Sequence, residues 1–330
     1  MISRKPIRVA VLGAGDWARQ YHLPALKALE EEIPLKIAGI WNRTTALAEL
    51  AARQFGLCHA YSSLDEAMND KNLDCFVVLV NSTALLEIVS SLVVRHLPIF
   101  TEKPPGKSYE EALKLAEIVD TPNVVAFNRR YMPLNRRFKE LADSIGSAYF
   151  AECRFYRNER TYDHFILETG VHGINYMEYL CGPIRTARTE KRMLPHNGTD
   201  LWISSVTFES GMRGIMKFFP CCGSSVERYE VHGQNTSIYL NCPQTYTSDH
   251  PGKIVVHEKG KMTSSVQDEE SEPLLSAGFL DEYRDFFRAV REGSHTASNI
   301  RNACNTMRVA EAIEATESIV RETAFPPISP

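Results

Sequence analysis

A short β-branched run that stops dead at a glycine constrains this chain more than anything else in it. Ile7 to Leu12 reads Ile-Arg-Val-Ala-Val-Leu, and Gly13-Ala14-Gly15-Asp16-Trp17-Ala18 follows at once. An apolar run of that length, bounded by a glycine turn, predicts a buried parallel strand. The stretch Trp17 to Glu31 is helical in composition, with Pro24 expected to split it in two. Leu35 to Trp41 reads as a second strand. Strand, glycine turn, helix and strand within about 30 residues form a βαβ unit.

The alternation persists. Helices are expected at Thr44–Phe55, closed by Gly56, at Ser63–Asn69 and at Ala84–His96, and strands at Cys75–Val80 and Pro98–Thr101. Ser108 and Glu111 form a capping box for a helix at Tyr109–Val119, and Val124–Phe127 reads as a further strand. Strands alternating with helices of about 10–15 residues specify an α/β fold with a doubly wound parallel sheet.

The rhythm changes after Asn128. A helix at Leu134–Ser144, a strand at Ala148–Tyr156 and a helix at Thr169–Leu180 lead into a β-rich region from Arg185 to Val256. Strands are expected there at Trp202–Glu209, Met212–Phe219, Arg228–His232 and Ser237–Asn241. The turns Glu209-Ser210-Gly211 and His232-Gly233-Gln234-Asn235 between them fit an antiparallel meander. Two helices, Phe279–Arg291 and Asn299–Glu322, close the chain. The expected organisation is a nucleotide-binding domain over 1–128 and an α+β domain with an open, largely antiparallel sheet over 129–330. Two domains suit 330 residues, because one core rarely grows past about 250–300 residues.

Composition narrows the function classes. A formal net charge of −4 argues against nucleic acid as a partner. The 8 cysteines form no Cys-x-x-Cys pair, so they read as free thiols of a reducing compartment rather than metal ligands. Residues 1–6 lead straight into the first strand with no signal-peptide core, and no apolar stretch approaches about 18 residues. A cytoplasmic protein with no membrane partner is expected.

In a βα turn of this kind the first glycine permits the bend and the second lets the backbone approach a pyrophosphate. The third position needs a small residue, here Ala18. The anion sits on the helix's amino end, where N–H groups and dipole favour negative charge. Gly13, Gly15, Asp16, Trp17 and Ala18 are therefore the expected dinucleotide grip. At the end of the second strand stand Asn42, Arg43 and Thr44. An acidic residue there would bind the adenosine ribose hydroxyls and repel a 2′-phosphate. Asn42 removes that repulsion while Arg43 and Thr44 supply donors, which favours NADP(H) over NAD(H). The plainer reading is an Arg43 that simply points to solvent.

Glu102-Lys103-Pro104 follows the strand at Pro98–Thr101. Together with the glycine turn it resembles the Glu-Lys-Pro motif of the Gfo/Idh/MocA oxidoreductases (glucose–fructose oxidoreductase, inositol dehydrogenase and relatives). Phe127-Asn128-Arg129-Arg130-Tyr131-Met132-Pro133 is similar to that family's exit from the nucleotide domain. Glu168-Thr169-Gly170-Val171-His172-Gly173-Ile174-Asn175 is similar to its Asp-x-x-x-His-x-x-Asp stretch. The resemblance runs over nearly the full length. It implies a nicotinamide-dependent dehydrogenase or reductase acting on a CH–OH group of a sugar, cyclitol or related polyol, in a dimer or tetramer built through the open sheet. Asn81, Ser82 and Glu102 would lie along the cofactor with Lys103, and Arg129, Glu168, His172 and Asn175 would face the substrate.

The chemistry can also be argued from the side chains. Lys103 can hydrogen-bond a reacting oxygen and stabilise alkoxide charge. His172 is suited to exchange a proton near neutrality, and Glu168, four residues earlier on a helix, would share its face and orient it. Taken alone, Lys103 reads as a surface lysine and His172 as a core histidine. Glu168 and Asn175 replace the family's aspartates, and Leu86 stands where relatives carry histidine. Arg129, Arg130, Arg154 and Arg157 imply either an anionic substrate or structural ion pairs. Two other readings stay open: a dinucleotide-binding sensor of the same fold, and a redox-neutral enzyme that recycles its bound cofactor.

Overall fold

Five parallel strands carry the first part of the chain: β1 (Ile7–Leu12), β2 (Leu35–Trp41), β3 (Cys75–Val78), β4 (Ile99–Thr101) and β5 (Asn123–Val125). Their order is β2-β1-β3-β4-β5, so the chain leaves β1 to one side for β2 and crosses to the other side for β3. The crevice at such a switch point, outside the carboxyl ends of the strands, is where open α/β sheets take ligands. The connecting helices are α1 (Leu23–Glu32), α2 (Thr45–Phe55), α3 (Leu64–Asn69), α4 (Ser82–Leu92) and α5 (Tyr109–Ile118). The computed structural model describes residues 5–161, 163–194 and 198–320.

Local signals explain most of these boundaries. Gly56 ends α2 in the left-handed region at φ 62°. The Ser63 and Ser108 hydroxyls accept from the Glu66 and Glu111 N–H groups and start α3 and α5. The capping box is displaced by one residue, since the Glu111 carboxylate accepts from the Lys107 N–H rather than from Ser108. The helical stretch divides beside Pro24, as expected. A π-turn at Ala18–His22 comes first, and α1 follows with the proline in its first turn.

The second sheet has nine strands: β6 (Ala148–Tyr156), β7 (Ile184–Met193), β8 (Asp200–Phe208), β9 (Arg213–Phe219), β10 (Val226–Gly233), β11 (Thr236–Asn241), β12 (Lys253–Glu258), β13 (Lys261–Gln267) and β14 (Ile319–Val320). Their order is β13-β12-β11-β10-β6-β9-β8-β7-β14. Among the described strands of this sheet only β6 and β9 pair in parallel. The sheet is largely antiparallel as expected, but β6 lies between β9 and β10 and divides the expected meander into two antiparallel runs, β7-β8-β9 and β10-β11-β12-β13. Along β6, β9 and β10 buried residues alternate with half-buried ones, the period-2 signature of a sheet with one covered face. α6 (Pro133–Ser144) packs on β11 and β12, and α7 (Val171–Cys181) packs on β6.

The remaining helices are α8 (Pro273–Ser276), α9 (Phe279–Glu292) and α10 (Ile300–Ala315). By contact density the chain groups into two units, Met1–Met132 with Glu272–Cys304 and Pro133–Ser271 with Asn305–Pro330. The first unit thus includes α9, which the sequence placed with the second domain. Phe279, Leu280, Tyr283, Phe286 and Phe287 share one helix face and join the core built by β1, β2 and α1. The face is legible in the sequence; the core it joins is not. The final helix stops at Ala315. Residues 1–4 and the last two residues of the expected helix lie outside the described residues. No described helix is long and apolar enough to cross a membrane.

Candidate active site

The glycine turn is stitched to both neighbouring strands. The Gly13 N–H donates to the Trp41 carbonyl at 2.7 Å, and the Leu79 N–H donates to Leu12 at 2.7 Å. Gly13 has φ 119°, and a Cβ added there would stand 2.2 Å from the Leu79 carbonyl oxygen. Backbone sterics and the closeness of the segment after β3 both demand glycine at this position. Gly15 differs, since its would-be Cβ meets nothing within 4 Å. That open space over an exposed turn at a helix start is the observation that fits a dinucleotide pyrophosphate. Ala18 is buried and fills the packing position. Asp16 pairs with Arg19, while Trp17 lies over Tyr21 with ring centroids 4.3 Å apart.

Asn42 has a task the sequence did not disclose. Its Oδ1 accepts from the Ala14 N–H at 3.0 Å and its Nδ2 donates to the Thr44 carbonyl at 3.1 Å, so one amide ties the two phosphate-side loops together. Arg43 and Thr44 are exposed beyond it. At the switch point Asn81 is the exposed N-cap of α4 and makes no side-chain capping bond, while Ser82 is buried behind it.

Glu102 turns inward. The Glu102 N–H donates to Val78, anchoring the segment after β4 to β3. Its Oε2 accepts from the Lys103 N–H at 3.0 Å, and its Oε1 lies 2.6 Å from His22 Nε2. A carboxylate only accepts, so Nε2 carries the hydrogen. His22 Nδ1 is paired with the Tyr283 hydroxyl at 2.8 Å. Burial acts to raise the Glu102 carboxyl, but the His22 hydrogen bond and the His22 and Lys103 charges prevail and hold it below the usual carboxylate range. Burial pushes the Tyr283 phenol well above its ordinary value, and Glu102 adds to the shift. Lys103 therefore stands on a buried scaffold at the carboxyl end of the sheet. His22, Tyr283 and Glu282 were not read from the sequence.

Arg129 is 4% exposed and donates to Asn128 Oδ1 at 2.9 Å. The Asn128 amide in turn donates to the Ala277 carbonyl at 2.9 Å. Arg130 donates to the Ala297 carbonyl. Arg154 pairs with Glu152 and Glu230, and buried Arg157 pairs with Glu227. The structural alternative thus describes Arg154 and Arg157.

The second unit holds Glu168, His172 and Asn175. A π-turn at Ile166–Gly170 precedes α7, so the regular spacing assumed for Glu168 and His172 does not apply there. Such turns recur at functional sites. Glu168 is half-buried and His172 is 8% exposed. The Leu167 N–H donates to Glu314 at 3.2 Å. Burial raises the Glu314 carboxyl, with Glu168 adding to the shift and the Leu167 N–H opposing it. Asn175 is 1% exposed and donates to the Thr306 hydroxyl at 3.0 Å. Glu178 accepts from Thr306 at 2.6 Å, from the Ile184 N–H at 3.1 Å and from Asn305. Among the described residues no group of three His, Cys, Asp or Glu is arranged to hold a metal.

Two family models match. One, the oxidoreductase family NAD-binding Rossmann fold, covers residues 7–129, and the other, the oxidoreductase family C-terminal alpha/beta domain, covers residues 123–319. A Saccharomyces cerevisiae relative, the uncharacterized protein YMR315W, is 30% identical over 43% of this chain. The match covers 41% of that protein's own length. A D-xylose 1-dehydrogenase (NADP(+)) of Haloferax volcanii is 26% identical over 54% of this chain and 55% of its own. The fold is that of levoglucosan dehydrogenase solved with NADH and L-sorbose, with a TM-score of 0.83 at 18% identity over 96% of this chain and 99% of that one. A glycine turn at a switch point, a lysine braced behind β4 and two family models spanning residues 7–319 lead to one assignment: the chain belongs to the Gfo/Idh/MocA oxidoreductase family.

Proposed function

We propose that this protein is an NADP(H)-dependent dehydrogenase or reductase acting on a secondary alcohol or ketone of a sugar, cyclitol or similar polyol. One observation carries the reading: Lys103 is braced by Glu102 and His22 at the carboxyl end of the same sheet whose first turn offers open space at Gly15. When bound, the nicotinamide supplies the carbon that accepts or donates hydride. Lys103 holds the reacting oxygen and stabilises negative charge on it. His172 takes the hydroxyl proton in oxidation and returns it in reduction, while Glu168 and Arg129 hold neighbouring substrate groups. Asn175, bonded to Thr306, keeps the His172 helix in place.

The coenzyme preference is supported by Asn42, which adds no charge, and by exposed Arg43 beside it. Relatives point both ways, since the Haloferax volcanii enzyme is described as NADP-dependent and levoglucosan dehydrogenase was solved with NADH. Residues 1–128 are assigned to nucleotide binding and 129–330 to substrate binding and self-association, with α9 serving the core of the former. The meeting of the two family models at residues 123–129 supports that boundary. The half-buried sheet residues Phe150, Tyr156, Phe219 and Tyr239 support a homo-oligomer, a dimer or tetramer, built through the open face.

Purified protein is mixed with NADP⁺ or NAD⁺ and a panel of polyols while the reduced-nicotinamide absorbance band is followed. Growth of that band with a polyol and NADP⁺ is the expected result. Tight nucleotide binding without turnover of any substrate would mark a sensor instead. Product formation without net cofactor reduction would mark redox-neutral recycling.

A further inference from the structure

The core behind Lys103 contains a second carboxyl group that the chemistry above does not use. Glu282, on α9, is 0% exposed, and neither of its oxygens forms a hydrogen bond among the described residues. Tyr283, its neighbour in the chain, is bonded to His22, which is bonded to Glu102. Glu102 and Arg129 are the charged groups whose fields act on Glu282, and the Tyr131 phenol, which donates to Asp285, also lies within reach of it. Elements α1, α8 and β5 also pack on α9. Of their titratable groups, Glu32 pairs with Arg284, Lys27 pairs with Glu30, and Glu31 is exposed.

An ionised carboxylate removed from water and given no donor is among the most costly groups a core can hold. Two carboxylates in one buried cluster also do not both ionise readily. Glu102 has the donors, His22 and the Lys103 N–H. Glu282 has the field of Arg129 alone in its favour, and burial together with Glu102 drives its carboxyl well above the ordinary range.

We propose that Glu282 is a positioning residue for the Glu102–Lys103 segment: it stays an un-ionised acid in the folded protein, leaving Glu102 as the single negative charge on which His22 and Lys103 are set. The proposal rests on the redox reading for the importance of Lys103, but its proton can be followed without turnover. The unfolded chain releases this proton at an ordinary glutamate pH and the folded protein keeps it. Stability therefore falls as pH rises above that ordinary value, and the fall levels off once the folded group also ionises.

The test compares full-length wild type with Glu282→Gln, which keeps the shape and cannot ionise. Wild type at neutral pH shows the infrared carbonyl stretch of an un-ionised carboxylic acid, shifted by deuteration, and the variant lacks it. The folding equilibrium of wild type relative to the variant falls by up to about tenfold per pH unit through the neutral range. NADPH affinity, read by nucleotide fluorescence, declines at alkaline pH in wild type and does so at higher pH in the variant. Identical infrared bands or parallel stability curves overturn the proton assignment, and identical nucleotide-affinity profiles overturn the positioning role. Should Glu282→Gln not fold, Glu282→Leu replaces it in all three measurements. Failure to oxidise any polyol while the band and the stability difference persist counts against the redox reading alone.

Discussion

Glu178 and Glu282 are both buried glutamates on helices, and they are opposites in what surrounds them. Glu178 accepts from a threonine hydroxyl, an asparagine amide and a backbone N–H. Glu282 accepts from nothing among the described residues and lies within the field of a second carboxylate. The first is a staple that joins α7, the start of β7 and α10. The second is a reserve of instability set behind the segment that carries Lys103. A fully bonded buried acid stabilises a fold, whereas an unbonded one is tolerated where a proton or a charge has work to do.

Four substitutions put that contrast under strain. The largest effect is expected at Lys103: Lys103→Met lowers kcat by about 10²–10³-fold, the range of a lost donor to a developing oxyanion. NADPH binding, measured separately by fluorescence quenching, survives; joint loss of both would mean that the lysine only holds the cofactor. Next comes Glu178→Leu, which strands three donors and destabilises the protein by about 3–5 kcal/mol in urea unfolding. A change under 1 kcal/mol there would erase the distinction between the two glutamates. His22→Leu leaves Glu102 Oε1 and the Tyr283 hydroxyl unmet, at about 1–3 kcal/mol of stability. It should also reduce kcat more than it changes nucleotide affinity. The smallest effect falls on Arg43→Ala, expected to weaken NADPH binding about tenfold, close to 1.4 kcal/mol, while leaving NADH unchanged. Equal losses for both coenzymes would remove the argument for a 2′-phosphate contact.

The elements that announce themselves in the sequence are those defined by neighbours in the chain. β1 is apolar but for Arg8 and stops at a glycine; α3 and α5 carry serine caps; α2 ends at Gly56. Each depends on a few consecutive residues, and each lies within about two residues of its expected bounds. The family motifs were legible for the same reason, being contiguous tripeptides and octapeptides. What stayed hidden depends on partners distant along the chain. The His22–Glu102 bond spans 80 positions and the His22–Tyr283 bond 261, and nothing in His22-Leu23-Pro24 marks the histidine as a partner of Glu102. Asn42 was read by its charge alone, whereas its two bonds to Ala14 and Thr44 give it a structural task. The π-turns before α1 and α7 leave no trace in apolar periodicity, because each is 5 residues long, too short for the pattern to tell it from an α-helical turn.

The membership of α9 in the first core has a bearing on how this polypeptide matures. Phe279, Leu280, Tyr283, Phe286 and Phe287 close a hydrophobic centre begun by Ile7, Val9 and Val11, so during synthesis β1 and β2 wait for a helix far downstream of them. Until that helix emerges, His22 lacks the phenol it pairs with, and the apolar surface of the nucleotide-binding sheet stays uncovered. A fragment cut after Met132 would carry every phosphate-side motif and still lack one wall of its own interior.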